Sequence, residues 1–344
     1  MRRPWALPLV PLYWAGLRVK NAFFSWGWLR VRRLERPVIS VGSLSAGGAG
    51  KTPVVLMLAE LLGRHGVEVD VLSRGYGRGS GVVEEVDAAG LASRFGDEPL
   101  EMARRGVRVV VGADRWAAGR LVEGSNEDGR AVGSIPHPFD ETERMGHPVH
   151  LLDDGFQHRR LHRDLDVVVL TAEDARDWLL PAGNLREPMA SLGRADVVVV
   201  REGEAAVLIA AIPAGLEVWM VRRELVLPVA PPKKPVVFCG IARPEGFLAM
   251  LRSAGWEAAG RVVFPDHYAY AESDFTQLVE AALHAGADGF VTTAKDVVKI
   301  PAAAMQRLET VGPVVVAELR VSLVDEGQAW TAISRACGFG VIGQ

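Results

Sequence analysis

Eight consecutive residues, Ser45, Ala46, Gly47, Gly48, Ala49, Gly50, Lys51 and Thr52, place three glycines, a lysine and a hydroxyl between two apolar runs, residues 38–41 and 54–62. The pattern reads as strand, glycine loop, helix. In that setting the loop's backbone N–H groups and the helix N-terminus form an anion cradle, Lys51 reaches the outer phosphates of a nucleotide, and the Thr52 hydroxyl ligates Mg²⁺. Pro53 suits the first helical position, where its missing N–H costs no bond. A strict P-loop has glycine where Ser45 stands, so the match is to the Gly-Lys-Thr half with an added glycine pair, and a plain Gly/Ser turn is the alternative. Only six lysines occur in the chain, which makes one in this loop informative.

Further chemistry lies downstream. His150-Leu-Leu-Asp-Asp154 has the apolar-strand-then-carboxylate form of a second nucleotide-triphosphatase motif, in which an acid at the strand tip holds Mg²⁺. Two carboxylates at one tip repel unless a cation or proton lies between them, so Asp153 and Asp154 read as a metal pair. Gly155-Phe-Gln-His-Arg-Arg160 adds a dense polar cluster. Arg186, in Leu180-Pro-Ala-Gly-Asn-Leu-Arg-Glu-Pro188, is either a bidentate phosphate clamp or one half of an ordinary ion pair. Asp97, in Gly96-Asp-Glu-Pro99, is either a functional acid or a helix N-cap. His267, in Pro265-Asp-His-Tyr268, follows a strand and is either structural or functional.

The elements that must position these groups alternate. Strands are expected at 67–72, 107–111, 165–170, 195–200 and 218–221, and again at 236–240, 262–264, 290–292 and 314–319, with helices near 244–255 and 273–285. Such alternation implies a mostly parallel sheet flanked by helices, with ligands at the carboxyl ends of its strands. The fold class is therefore α/β and P-loop NTPase-like, with a second, smaller α/β domain. Four prolines between 228 and 235 suggest a linker, giving a P-loop body at 36–228, a linker at 229–235 and a smaller body at 236–344. Residues 123–148, rich in polar residues, glycine and proline without an apolar period, read as a long exposed loop.

Composition narrows the classes. The net charge of −3 argues against a nucleic-acid partner, and the two cysteines have no metal-ligand spacing and are too few for a disulfide framework. Residues 1–35 carry seven basic residues against one acid, with seven aromatics including Trp5, Trp14, Trp26 and Trp28. The longest uncharged run there, residues 4–17, contains three prolines and is shorter than the roughly twenty apolar residues that span a bilayer. A segment lying on an anionic membrane surface fits this composition; an ordinary packed helix with a solvated basic face is the alternative.

Together, the loop from Val41 to Pro53, Ser73-Arg-Gly-Tyr-Gly-Arg78, Gly96-Asp-Glu-Pro99, Asp153-Asp-Gly-Phe-Gln-His158, the 180–188 segment, Asp266-His267 and Thr292-Thr-Ala-Lys-Asp296 resemble, in order, the tetraacyldisaccharide 4′-kinases of lipid A biosynthesis. The resemblance covers most of residues 37–300. It implies transfer of the ATP γ-phosphoryl group to the 4′-hydroxyl of an acylated glucosamine disaccharide 1-phosphate, giving lipid IVA. ATP and Mg²⁺ are the implied cofactors, with Lys51 and Arg186 on phosphate charge and Thr52, Asp153 and Asp154 on the metal. Asp97 is the implied base, paired with His267 across an interdomain cleft that closes before chemistry, and Arg74, Tyr76 and Arg115 are implied contacts of the sugar phosphates. It also implies a membrane-facing N-terminal helix, peripheral attachment at the cytoplasmic face of a bacterial inner membrane, and no obligate protein partner. The chain departs from the family at Ser43 (usually Asn), Ala49 (Ser or Thr) and Ala294 (Glu), and its 123–148 connection looks longer. A P-loop ATPase or GTPase switch, a metal-insertion chaperone and a soluble small-molecule kinase are the rival classes; the first two lack a base-recognition motif or metal-binding tract here, and the third leaves the aromatic, basic N-terminus without a purpose.

Overall fold

The computed structural model describes residues 2–127, 148–227 and 231–339. A 3-10 turn (Pro4–Leu9) leads into helix α1 (Val10–Ser25), which has no buried side chain. Among the described residues no helix is long and apolar enough to cross a membrane. Strand β1 (Val38–Ser43) is buried at every position, as a central parallel strand covered on both faces must be. It feeds the glycine loop and helix α2 (Lys51–Arg64). Pro53 stands third in α2 and not first, still inside the turn whose N–H groups lack helical acceptors.

The chain continues through β2 (Val69–Ser73), β3 (Glu84–Glu85), α3 (Ala92–Phe95), α4 (Asp97–Arg104), β4 (Arg108–Val111), α5 (Arg115–Glu127), β5 (Val149–Asp153), β6 (Leu165–Val169), β7 (Val197–Arg201), α6 (Ala205–Leu208) and β8 (Glu217–Val226). Helix α5 enters the stretch expected to be loop. Val122 is buried in the core there, and the buried Glu123 carboxylate accepts the backbone N–H groups of Glu35 and Arg36 at 2.8 and 3.0 Å. Residues 128–147 of that expected loop lie outside the described residues, as do 228–230 of the proline-rich linker. At the end of that linker the N–H groups of Lys233 and Lys234 donate to Asp288, each at 2.8 Å.

Beyond it come β9 (Pro235–Cys239), α7 (Pro244–Ser253), β10 (Gly260–Val263), α8 (Glu272–Ala285), β11 (Gly289–Thr293), α9 (Ala294–Val297), α10 (Ala302–Glu309), β12 (Val314–Leu323) and α11 (Glu326–Cys337). All twelve strands form one mixed, mostly parallel sheet in the order β10-β9-β11-β12-β8-β7-β6-β1-β5-β2-β4-β3. Strand β12 joins its halves. Residues 314–317 run parallel to β11, and residues 318–323 run antiparallel to β8. Helix α11 then returns to the first half, where Ala329 and Ile333, with Val321 and Leu323 of β12, share a core with Val55, Leu58 and Leu62 of α2. The opposite faces are closed by Leu44, Phe156, Val168 and Val198, and by Leu34, Leu72, Val110 and Leu152. The expected short strand at 218–221 is the first part of ten-residue β8, extended because both β7 and β12 pair with it.

Candidate active site

The glycine loop leaves the carboxyl end of β1 between neighbours β5 and β6, the crevice where an open α/β sheet reverses its winding. Gly47, Gly48 and Gly50 have φ of 76°, 67° and 86°, a conformation that costs glycine nothing and any other residue much. Lys51 Nζ lies 3.4 Å from both Ser43 Oγ and Asp154 Oδ1. The Ser43 hydroxyl donates to Ser45 O at 2.9 Å and accepts from Lys51 and Arg186. Thr52, the second residue of α2, is buried.

The two aspartates at the tip of β5 have opposite environments. Asp154, in the left-handed region at φ 51°, is held bidentately by Arg186 at 2.7 and 2.8 Å. Burial opposes its charge, but the Arg186 fork and Lys51 outweigh burial and keep the carboxyl well below the usual carboxylate range. Asp153 is buried and accepts the Ser73 hydroxyl at 2.9 Å, and among the described residues its Oδ1 has no hydrogen-bond partner. Burial, then the charges of Glu98 and Asp154, push its pKa up to about 7. The Arg186 guanidinium pairs with Asp154, and this pairing is compatible with either of its two expected roles. Among the described residues no three His, Cys, Asp or Glu side chains gather as a metal cage.

A second cluster faces the first from across the sheet's seam. Gly96, at φ 92°, caps α4, so Asp97 is its first helical residue, buried, with the two carboxylate oxygens 3.1 and 3.0 Å from His267 Nδ1. His267 sits at φ 57° after β10. Lys295 Nζ is 3.1 Å from His267 Nε2 and from Asp266, 3.4 Å from Glu98 and 3.9 Å from Asp97. An ammonium only donates, so Nε2 accepts and Nδ1–H donates to Asp97. Burial resists ionisation of Asp97, yet the His267 hydrogen bond and the Lys295 charge prevail and lower its pKa. The Asp97 hydrogen bond raises the His267 pKa against burial and Lys295.

Asp296, fully buried, braces this cluster by accepting from Gly240 N at 3.0 Å, Thr293 Oγ1 at 2.6 Å and Tyr270 OH at 2.9 Å, with Lys299 at 2.9 Å. The second half also overhangs the glycine loop. A Cβ on Gly48 would lie 3.0 Å from Arg243 Nε and 3.2 Å from Ala242 Cβ, and one on Gly47 would lie 3.9 Å from Asp266 Oδ2. Tyr76 is exposed with its ring 5.2 Å from that of His267. Arg115 is buried at the start of α5, where burial and then the neighbouring Arg74 charge lower its pKa and Asp153 and Asp154 oppose them. Lys295, Glu98 and Ser43 also belong to the site; the sequence carried the first two only inside the Thr292–Asp296 and Gly96–Pro99 motifs and marked Ser43 only as a departure. A cavity of about 430 Å³ beside Leu248, Trp256 and Arg261 shares no lining residue with this cleft.

A family model described as tetraacyldisaccharide-1-P 4′-kinase matches residues 3–338. A tetraacyldisaccharide 4′-kinase of Koribacter versatilis is 40% identical over 304 residues, covering 85% of this chain and 88% of the relative. One from Geobacter metallireducens is 38% identical over 343 residues, covering 94% and 95%. A crystal structure described as "apo" form LpxK from Aquifex aeolicus in complex with ATP superposes with a TM-score of 0.73 at 31% identity, over 96% of this chain and 98% of that one.

Proposed function

Since the chain belongs to the tetraacyldisaccharide-1-P 4′-kinase family, we propose that it transfers the γ-phosphoryl group of ATP to the 4′-hydroxyl of a tetraacylated glucosamine disaccharide 1-phosphate, a step of lipid A biosynthesis. The observation that carries the site assignment is the contact between Asp97 and His267, 170 residues apart in sequence and 3.0 Å apart beside the glycine loop.

Phosphoryl transfer needs positioning, neutralisation of phosphate charge and an acceptor for the hydroxyl proton. The N–H groups of Gly47 to Thr52 and the Lys51 ammonium hold the nucleotide phosphates, and Arg186, anchored on Asp154, supplies a second fixed cation. Asp97 takes the 4′-hydroxyl proton through a carboxylate oxygen. His267 Nδ1–H steadies that carboxylate, and Lys295 keeps Nε2 as an acceptor so that the imidazole stays in the required tautomer. Because Asp97 lies on α4 and His267 follows β10, the pair exists only while the two halves of the sheet are together. Tyr76, Arg74 and Arg115 line the approach and contact the sugar phosphates. Asp153 Oδ1, without a partner among the described residues, and the Thr52 hydroxyl would hold Mg²⁺, which would supply neutralisation of phosphate charge.

A substrate with four acyl chains stays in its membrane, and the N-terminal segment exposes Trp5, Leu12, Trp26 and Trp28 among its arginines. We assign it peripheral attachment to the cytoplasmic face of the inner membrane. If protein lacking residues 1–30 remained folded and sedimented with anionic vesicles as fully as the intact chain, the attachment would be disproved. The reaction is tested by phosphoryl transfer from γ-labelled ATP to tetraacyldisaccharide 1-phosphate in micelles. Label on the lipid, strongly reduced in Asp97→Ala and Lys51→Ala, is the expected result; ATP hydrolysis without lipid labelling would favour a switch ATPase.

A further inference from the structure

Helix α1 hides none of its side chains in the core, yet the N-terminal segment is bound to the protein by polar contacts that converge on one loop. Arg3 N donates to Ala182 O at 2.6 Å and its guanidinium to Pro181 O at 3.4 Å. The Arg2 guanidinium stacks 5.0 Å from the Trp178 ring centre and lies 3.9 Å from Asp177. The half-buried Tyr13 hydroxyl donates to Arg186 O at 2.9 Å. The inner side of the same loop holds the glycine loop. Ala46 N donates to Asn184 O at 2.8 Å, Ser45 bridges to Leu185, and Arg186 N donates to Leu44 O at 2.7 Å. Arg186 is therefore fixed through its N–H by the strand end, through its carbonyl by Tyr13, and through its side chain by Asp154. A second contact of the helix reaches the other aspartate-bearing segment, where Arg159 donates to Asn21 Oδ1 at 3.0 Å and covers the Phe24 ring at 4.7 Å.

From this arrangement we infer that Tyr13 is a positioning residue for Arg186, so that helix α1 sets the geometry of the phosphate-facing cations in addition to seating the protein on its substrate's surface. The peptide that carries the Arg186 carbonyl is tied to the strand end through Glu187 N, which donates to Leu44 O at 3.3 Å, and the phenol adds a second tie that keeps this carbonyl from turning away. Without it the guanidinium swings from Asp154, and Lys51, which shares Asp154 Oδ1, moves too. This inference rests on the kinase reading for the role of Arg186, but its test does not depend on the lipid acceptor.

Tyr13→Phe removes a single oxygen and leaves the exposed Trp5, Leu12, Trp26 and Trp28 in place. Loss of one neutral hydrogen bond corresponds to about five-fold. ATP affinity, measured by titration in detergent buffer without lipid, is expected to weaken by about that factor, and kcat in micelles to fall similarly. The KM for the lipid and sedimentation with anionic vesicles are expected to stay at wild-type values. Asn21→Ala, which releases Arg159 on the other side, is expected to move the same two quantities in the same direction. Unchanged ATP affinity and kcat in Tyr13→Phe, or a loss confined to lipid KM and vesicle binding, would overturn the inference and leave α1 a surface anchor. Failure of wild-type protein to label the lipid at all would instead strike the kinase reading, while the ATP titration would still decide the role of Tyr13.

Discussion

Lys295→Met removes the ammonium that four acceptors share: His267 Nε2, Asp266, Glu98 and Asp97. At the 3.9 Å separation from Asp97, a unit charge at an effective dielectric of about 20 is worth roughly 4 kcal/mol. Glu98 and Asp266 divide that favour, and about half is a reasonable share for the dyad, which is roughly 30-fold in rate. The direction with pH follows from the two shifts. Lys295 helps lower the Asp97 pKa and opposes the rise of the His267 pKa, so its removal raises both. Asp97 then stays protonated, and His267 charged, to higher pH. The acidic limb of the kcat profile moves upward, and the deficit against wild type narrows as the pH rises beyond that limb. Lys295→Arg keeps the charge and should recover part of the rate without moving the limb. A deficit that is constant across the pH range, or one appearing wholly as a raised KM for ATP, would refute the reasoning and place Lys295 on the nucleotide.

Three further expectations follow from the geometry. Arg186→Lys retains the charge but at most one of the two bonds to Asp154, a loss of about 1.5–3 kcal/mol, and is expected to lower kcat/KM for ATP about ten- to hundred-fold in steady-state assays. Asp296→Ala strands the Gly240 N–H, the Tyr270 and Thr293 hydroxyls and Lys299, so urea denaturation should report about 3–5 kcal/mol less stability; a change under about 1 kcal/mol would mean the site relaxes freely. Gly42→Ala would put a Cβ 2.4 Å from Phe156 Cβ and 2.8 Å from its backbone N, and should lower the melting temperature sharply, whereas Gly63→Ala, in α2 with nothing within 4 Å, should raise stability by about 0.5–1 kcal/mol.

The parallel sheet was legible because its strands are buried on both faces and read as continuous apolar runs, β1, β6 and β7 most plainly. The glycine loop was legible because its backbone demands those glycines. Other features are set by partners distant in sequence. Strand β8 carries Arg222, Arg223 and Glu224 in its middle, and only pairing with β12 extends it through them. Helix α5 has a polar composition, and what orders its middle is the reach of Glu123 back to Glu35 and Arg36. Lys295 lay inside a recognised motif, but its partners come from α4 and from the turn after β10, so nothing local to residues 292–296 indicates its charge environment. Arg186 offered two chemistries from one side chain, and its pairing with Asp154, 32 residues away in sequence, is not indicated by anything local to residues 180–188.

The return of β12 and α11 to the first half bears on how the polypeptide is made. During synthesis, a domain usually collapses as soon as it leaves the ribosome. Here the outer surface of α2 waits for Val321, Leu323, Ala329 and Ile333, which are translated after the whole of β9 to β11. The nucleotide-binding half consequently passes most of its synthesis with an uncovered apolar helix face, and a fragment ending near residue 228 would be expected to aggregate when expressed alone. The stitch that locks both halves is thus translated only after the whole of β9 to β11 has emerged.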